Sequence, residues 1–429
     1  MIPDIEKRSK EEIKAYQESR LTGLLSYLAG HSKYYSEKFR KNNIEFGSIR
    51  TLEDLTKIPV TTKEDLQRRT KDFICVEPQK IIDYNTTSGT LGEPVTFVLT
   101  ENDLERLAYN EYLSLSCSDG SAEDIYQMMV TIDRRFMAGI AYFLGLRKLG
   151  AGVVRVGPGN TELQFDTFSR IRPTALITVP SYLVKLIEFA EKNGLDINET
   201  TVKKAVCIGE PIRNNDFSLN TLGKRITDKW NISLYSTYAS TEMGAAFNDC
   251  IHGLGGHHHP ELIIVEFLDD HNMPVCENES GEVTITTLGV EGMPLLRFKT
   301  GDICYHHAEP CACGRNTLRI GPVIGRKKQM LKYKGTTLFP PAIYDILNEI
   351  DFVENYLIEV YTGDLGTDEI LVKTGCRKQD EQYEKIIKDH FRAKLRVAPD
   401  VKIMTPEEII ALSSQEMSRK PVIFIDARK

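Results

Sequence analysis
The chain reads as α/β: a large N-terminal domain with mixed or parallel sheets covered by helices, a β-rich subdomain, and a small mobile α+β C-terminal domain. Three observations carry this. Short apolar runs alternate with helical patterns from residue 126 to about 208, which predicts a parallel sheet with helices on both faces. From about 230 the texture changes to strands separated by turn signals. After Gly325 a third texture appears, with two strands and two helices in roughly a hundred residues. At 429 residues, the chain exceeds one ordinary core. The predicted domains are 1–325, its β-rich and metal-bearing part at about 245–325, and 326–429.

Residues 5–45 read as amphipathic helix, with Leu21, Leu24, Leu25 and Leu28 at helical spacing. Thr61 or Thr62 is placed to cap a short helix with an acidic first turn. Residues 100–116 are helical again. Strands follow at 127–131, 152–156, 175–179 and 204–208, with helices at 138–149, 161–170 and 181–192 between them. Loops at the carboxyl ends of such strands are the usual ligand sites. Short strands are expected at 232–235, 263–268, 281–286 and 294–298. The C-terminal part adds strands at 357–361 and 370–373 and helices at 341–349 and 380–396.

Charged residues make up 27% of the chain and the net charge is -7. That excludes a global positive field for nucleic acid. No stretch of eighteen or so apolar residues is long enough for a membrane span. The N-terminus lacks the apolar core of a signal peptide, so a cytoplasmic location is expected. Cys250, Cys276, Cys304, Cys311 and Cys313 crowd together with seven of the nine histidines. Without a secretion signal such crowding points to metal before disulfides. Cys250-x6-His257 with Cys311-Ala-Cys313 is the zinc candidate, and His252, His258 and His259 lie near enough to serve in place of His257.

The densest chemistry lies at Tyr84-Asn-Thr-Thr-Ser-Gly-Thr-Leu-Gly-Glu-Pro94. Gly89 and Gly92 free the backbone to approach a ligand. Successive N–H groups and the hydroxyls of Ser88 and Thr90 suit an anion, although a plain polar hairpin uses the same residues. A Walker A spacing is absent. Glu242, after the strand at 232–235, suits Mg²⁺, which keeps few protein carboxylates, and Tyr238 suits an aromatic base. Asp302 in a Gly-Asp turn suits a ribose diol. Gly325-Arg326-Lys327-Lys328 is a basic junction where a hinge is expected. Lys420 precedes an apolar strand on the part that such a hinge would carry.

In this order, these pieces resemble the adenylate-forming acyl-CoA synthetase superfamily, in particular the phenylacetate–CoA ligase branch, which includes proteins labelled coenzyme F390 synthetase. His31-Ser-Lys-Tyr-Tyr35, Thr61-Thr-Lys-Glu-Asp-Leu66, Gly159-Asn-Thr-Glu-Leu-Gln164, Thr178-Val-Pro-Ser-Tyr182 and Gly209-Glu-Pro211 extend the likeness over almost the whole chain. The resemblance implies an ATP-dependent ligase that adenylates an aryl or arylacetic acid and transfers the acyl group to CoA. Alternatives are adenylyl transfer of the coenzyme F390 synthetase type and loading of a carrier-protein thiol.

By that resemblance Ser88, Gly89, Thr90 and Gly92 grip ATP phosphates. Gly209, Glu210 and Pro211, with Tyr238, hold adenine. Thr241 and Glu242 meet the α-phosphate and Mg²⁺, and Asp302 binds the ribose. Arg326 touches the nucleotide, Lys328 is the pivot, and Lys420 is the mobile catalytic lysine, with Glu242 and Thr90 completing the catalytic set. Zinc at Cys250, a nearby histidine, Cys311 and Cys313 is implied as well, as is a homodimer. Two departures stand out. Glu93 occupies the place of a family lysine, and Thr131-Ile-Asp-Arg-Arg-Phe136 replaces a run that borders the acyl pocket, which speaks against phenylacetate itself.

Overall fold
Ser9 opens the first long helix with a reciprocal cap: its hydroxyl accepts from Glu12 N, and the Glu12 carboxylate accepts from Ser9 N. The helix Lys10–His31 buries Leu21, Leu24, Leu25 and Leu28 on one face. It stops because Ser32 is extended and caps a second helix, Lys33–Lys41, by accepting from Tyr35 N. The single helix expected over 5–45 is therefore two, broken by a local side-chain cap that competes with continuation. The computed structural model describes residues 2–87, 94–334, 336–363, 368–378, 380–413 and 422–428. The chain divides into two units, 1–323 and 324–429.

An eleven-stranded sheet organises the first unit. Five strands are parallel, in the order Gly152–Arg155, Ile125–Met128, Ala175–Thr178, Lys204–Ile208 and Ser233–Ser240. Side chains alternate across a strand, and the cores show it. Leu176, Ala205 and Cys207 pack with Phe168, Leu183 and Trp230. Ala175, Ile177 and Val206 pack with Tyr126, Tyr142 and Leu146. Helices thus cover both faces, which gives the expected α/β class. The expected strand 127–131 lies earlier, at Ile125–Met128.

From Ser233–Ser240 the sheet runs on with antiparallel neighbours: Ala245–Asn248, Gly256–His257, Arg319–Arg326, Phe298–His307, Ser280–Thr287 and Ile263–Leu268. The β-rich part is hydrogen-bonded into the same sheet. The strand expected at 294–298 is displaced to Phe298–His307. Asp302 therefore sits within a strand rather than at a turn closing one. Thr284 pairs with Lys299 and Glu282 with Ile303, so extra residues at 300–302 form a bulge, with Gly301 at φ +84°.

The second unit has a four-stranded sheet, ordered Asp400–Met404, Asp368–Gly375, Asn355–Thr362 and Phe424–Asp426. Helices Pro340–Asn348 and Glu381–Leu395 pack on it through Ile343, Leu347, Ile387 and Phe391. Among the described residues no helix is long and apolar enough to cross a membrane.

Helix Glu101–Cys117 meets helix Met137–Leu149 so closely that a Cβ on Gly145 would lie 2.3 Å from Glu111 Cβ. Glu111 is buried there. Asn110 Nδ2 donates to one of its oxygens at 3.1 Å, and the other oxygen has no partner. Burial pushes its carboxyl up to about 8, so the folded state holds a proton that the unfolded chain has lost. The resulting stabilisation is full below about pH 4.5 and is lost as pH rises towards about 8. Denaturant midpoints should therefore fall between pH 5 and pH 8 more steeply in the parent than in Glu111→Gln. Equal slopes would count against a protonated Glu111.

Candidate active site and a Cys3His cluster
The strand Ser233–Ser240 ends in a turn, Thr241 to Gly244, before the chain returns antiparallel. Ser240 Oγ accepts from Met243 N at 3.3 Å, and Gly244 takes φ +51°. Arg106 holds this turn from below. Its buried guanidinium donates to the carbonyls of Gly244, Leu262 and Leu288 at 2.5 to 2.7 Å. Burial lowers its pKa to about 10, so it stays a cation at neutral pH.

Glu242 projects from this turn with its side chain only 12% exposed. Lys63 Nζ lies 3.9 Å from its carboxylate. Lys63 is the first residue of helix Lys63–Phe73, capped by Thr62 and Asp65 in a reciprocal box. The approach to that helix is pinned. Thr61 N donates to Arg297 O at 2.8 Å, Lys299 N to Thr61 O at 2.9 Å, and Thr61 Oγ1 to Leu296 O at 2.8 Å. Lys38 Nζ, whose pKa burial lowers to about 8, donates to Val60 O at 2.7 Å. No role for Lys63 follows from the sequence reading. The one local signal is a cation at a helix N-terminus, where the macrodipole disfavours it.

Beside this pair, Tyr238 donates its hydroxyl to Asp302 Oδ2 at 3.0 Å. Burial and the Asp302 charge push the phenol well up, so it remains a donor. The bulge at 300–302 aims Asp302 at that partner. Ile208 is in register with Thr237, which sets Gly209, Glu210 and Pro211 alongside Tyr238. Gly209 turns the chain at φ +75°. The Glu210 carboxylate accepts from Ser181 N and Ser181 Oγ, both at 2.9 Å, and so caps helix Pro180–Lys192. Tyr238, Thr241, Glu242 and Asp302 thus gather at one end of the sheet with Gly209 to Pro211 and Lys63.

Ser88, Gly89, Thr90 and Gly92 lie outside the described residues, as does Lys420. The flanks of that loop form an antiparallel ribbon, Asp83–Thr86 with Thr96–Leu99. It is closed where Thr87 N donates to Val95 O and Val95 N to Thr87 Oγ1, both at 3.0 Å. Thr86 N donates to Arg135 O at 3.0 Å, tying the ribbon to the segment after strand Ile125–Met128. In that segment Arg134 and Arg135 both take φ +57°, a left-handed conformation that is costly for side chains of this size. Arg326 ends a strand, and Lys328 lies in the 3-10 turn Lys327–Gln329, both in the second unit.

The ligand atoms of Cys250, His257, Cys311 and Cys313 all lie within 4.8 Å of one another. Cys250 Sγ is 3.7 Å from Cys311 Sγ, and Cys313 Sγ is 3.5 Å from His257 Nε2. Tetrahedral zinc with ordinary bond lengths needs edges of about 3.8 Å between sulfurs and about 3.5 Å from sulfur to nitrogen. These two edges match a tetrahedral zinc site, and the four donors together form a Cys3His set of the kind that holds it. The choice among histidines follows from what the others do. His258 Nε2 bonds to Ile263 O at 2.6 Å, and His259 Nδ1 to Glu6 Oε1 at 2.5 Å. Arg315 donates to Cys313 Sγ at 3.5 Å and to Glu6 Oε2 at 2.7 Å. Hydrogen bonds from Cys250, His257 and Arg315 hold the Cys313 thiol far below its usual range, which prepares it as a thiolate ligand.

A family model described as AMP-binding enzyme matches residues 17–291. The chain belongs to the AMP-binding enzyme family. Its relatives include the phenylacetate–coenzyme A ligase of Thermus thermophilus, 29% identical over 83% of this chain and 80% of that protein. The phenylacetate–coenzyme A ligase of Escherichia coli is 27% identical over 84% and 82%. Among solved structures, a 2-hydroxyisobutyryl-CoA ligase holding 2-HIB-AMP superposes with a TM-score of 0.86 at 20% identity, covering 99% of this chain and 94% of that one. An anthranilate CoA ligase with anthranoyl-AMP gives 0.59 at 16% identity, covering 81% and 67%. These two likenesses show the fold. The matched family segment of this AMP-binding enzyme includes Glu242 and Cys250 and ends before Asp302, Cys311 and Cys313.

Elemental analysis of the purified AMP-binding enzyme should find about one zinc per chain, and Cys311→Ser should lower it sharply. Unchanged metal content in Cys311→Ser would remove the four-ligand assignment.

Proposed function
We propose that this AMP-binding enzyme is an ATP-dependent acid–thiol ligase. It adenylates a carboxylic acid of the aryl or arylacetic class, transfers the acyl group to coenzyme A and releases AMP. One observation supports this most: Glu242 with Lys63, and Asp302 held by Tyr238, gather at the end of neighbouring strands in a chain whose relatives are phenylacetate–coenzyme A ligases.

A carboxylate oxygen of the acid attacks the α-phosphorus of ATP, and the bond to pyrophosphate breaks. Charge spreads over phosphoryl oxygens, so fixed donors and cations provide most of the rate. Ser88, Gly89, Thr90 and Gly92 hold the outgoing phosphates through backbone N–H and hydroxyl groups. With Glu93 in that loop, Lys63, beside Glu242, supplies positive charge. Thr241 donates to the α-phosphate. Glu242 would hold Mg²⁺ here, and the ion would supply charge neutralisation at the phosphates. Asp302 accepts from the ribose hydroxyls, Gly209 to Pro211 and Tyr238 line the adenine, and Arg326 contacts the nucleotide.

Lys420 bridges the acid carboxylate and the nucleotide during adenylation. A turn about Lys328 then withdraws it and admits the CoA thiol, which attacks the acyl carbon as AMP leaves. Cys250, His257, Cys311 and Cys313 would hold zinc as a closed structural site, with no part in these steps. Arg134 and Arg135, in the segment next to the acyl pocket, favour an acid other than unsubstituted phenylacetate.

Pyrophosphate exchange across a panel of aryl, arylacetic and short aliphatic acids should single out an aryl or arylacetic acid. AMP release with that acid should then depend on CoA; release that ignores CoA would overturn the thiol as acceptor. Lys420→Ala should abolish adenylate formation yet leave thioester formation from supplied acyl-adenylate largely intact. Equal loss of both halves sinks the alternating scheme.

A further inference from the structure
Arg428 lies two residues past the last described strand of the second unit, Phe424–Asp426. Its planar guanidinium contacts two kinds of group. Nε donates to Asp426 Oδ1 at 2.9 Å, Nη2 to Asp426 Oδ2 at 2.6 Å, and Nη1 to Asp368 Oδ2 at 3.0 Å. The same two terminal nitrogens reach the main chain just after the unit boundary: Nη2 donates to Lys328 O at 2.9 Å and Nη1 to Met330 O at 2.8 Å. Asp368 Oδ2 also accepts from Lys332 N at 2.6 Å. Segment 328–332 is therefore hung on one charged cluster built from the small sheet.

We infer that Arg428 is a positioning residue that confines the turn of the chain to Lys328 and joins that pivot to the strand following Lys420. The inference rests on the proposed alternation of the second unit. A peptide group is planar, so holding Lys328 O also holds Gln329 N. With Met330 O held as well, the torsions of Gln329 and Met330 cannot change without breaking charge-assisted bonds. The torsions left to a rotation are those of Lys328 and the residues before it.

At its other side the guanidinium grips Asp426, whose strand pairs in parallel with Asn355–Thr362. That strand begins four residues after Lys420. The segment at Lys328 and the strand Phe424–Asp426 are thus linked through one side chain, with no slack at Gln329 or Met330. Lysine cannot replace this arrangement, since a single ammonium lacks the planar fork.

The test is a cycle of two variants. Lys328→Pro fixes the φ of that residue and should lower CoA-dependent turnover of the panel-selected acid by roughly 100-fold in the parent. In an Arg428→Ala background the torsions at 329 and 330 are released, so the same substitution should cost about tenfold less. Hydrogen exchange, which needs no substrate, should rise at the amides of 329–332 in both Arg428→Ala and Arg428→Lys while Asn355–Thr362 stays protected. An equal cost of Lys328→Pro in both backgrounds overturns the inference and leaves the ligase reading standing. No cost in either background removes the pivot, and the inference with it. Loss of protection throughout Asn355–Thr362 in Arg428→Lys would make Arg428 a plain fold stabiliser and overturn the inference too.

Discussion
A buried arginine ties the N-terminal part of the chain to the antiparallel end of the sheet. Arg297 Nη1 donates to Ile58 O at 2.8 Å, Nη2 to Asn272 O at 2.8 Å, and Nε to Glu266 at 3.1 Å. Its own carbonyl accepts from Thr61 N, and its φ is +50°. Hydrogen bonds to charged groups contribute about 1.5–3 kcal/mol each, and a buried carbonyl left without its donor costs a similar amount. A neutral side chain here would orphan several groups at once. The position of Lys63 depends on this anchor, because the chain reaches it through Ile58 and Thr61. Asp302 depends on it too, five residues further on in the strand that Arg297 leads into.

Arg106 does the same work on the opposite side of the turn that carries Glu242. Both cations are buried, and both direct donors at carbonyls from segments distant in sequence. Strand Ser233–Ser240 explains why the groups meet where they do. It is parallel to one neighbour and antiparallel to the other. Its carboxyl end is thus the place where the parallel half, with its loop at Gly209, adjoins the antiparallel half, with its bulge at Asp302. Changes of direction in open sheets leave a crevice of this kind.

Local pattern made much of this legible. Alternating apolar runs identified the parallel half because buried strands and covering helices differ in period and length. The Cys-x-Cys spacing drew Cys311 and Cys313 together. What stayed hidden depends on distant partners. The bulge that holds Asp302 within a strand is a property of its pairing with Glu282 and Thr284. Four nearby histidines suited one position by sequence, and only the fold brings His257 to the three cysteines while turning His258 to Ile263 and His259 to Glu6, some 250 residues away in the chain. Lys63 lay inside a motif already noted, but its partner Glu242 stands on another strand end, beyond any local window. Ser32 broke a helix whose apolar spacing runs straight through it.

The charge balance at the nucleotide end follows from these placements. The loop at 84–94 has hydroxyls and backbone donors and, at Glu93, a negative side chain. It has no cation of its own. Glu242, at the turn after Ser233–Ser240, is a second carboxylate assigned to the same proposed site. Under the proposed function, ATP phosphates at a site that includes Glu93 and Glu242 require fixed positive charge nearby, because partly buried charges are poorly screened. Lys63 lies beside Glu242 and is held by Thr61 and Thr62 rather than by a flexible loop. A lysine carried on a moving loop would lose its order whenever the loop opens. A lysine on a capped helix keeps its place beside Glu242, and under the proposed function it adds a fixed cation to the hydroxyl and N–H donors of the phosphate loop.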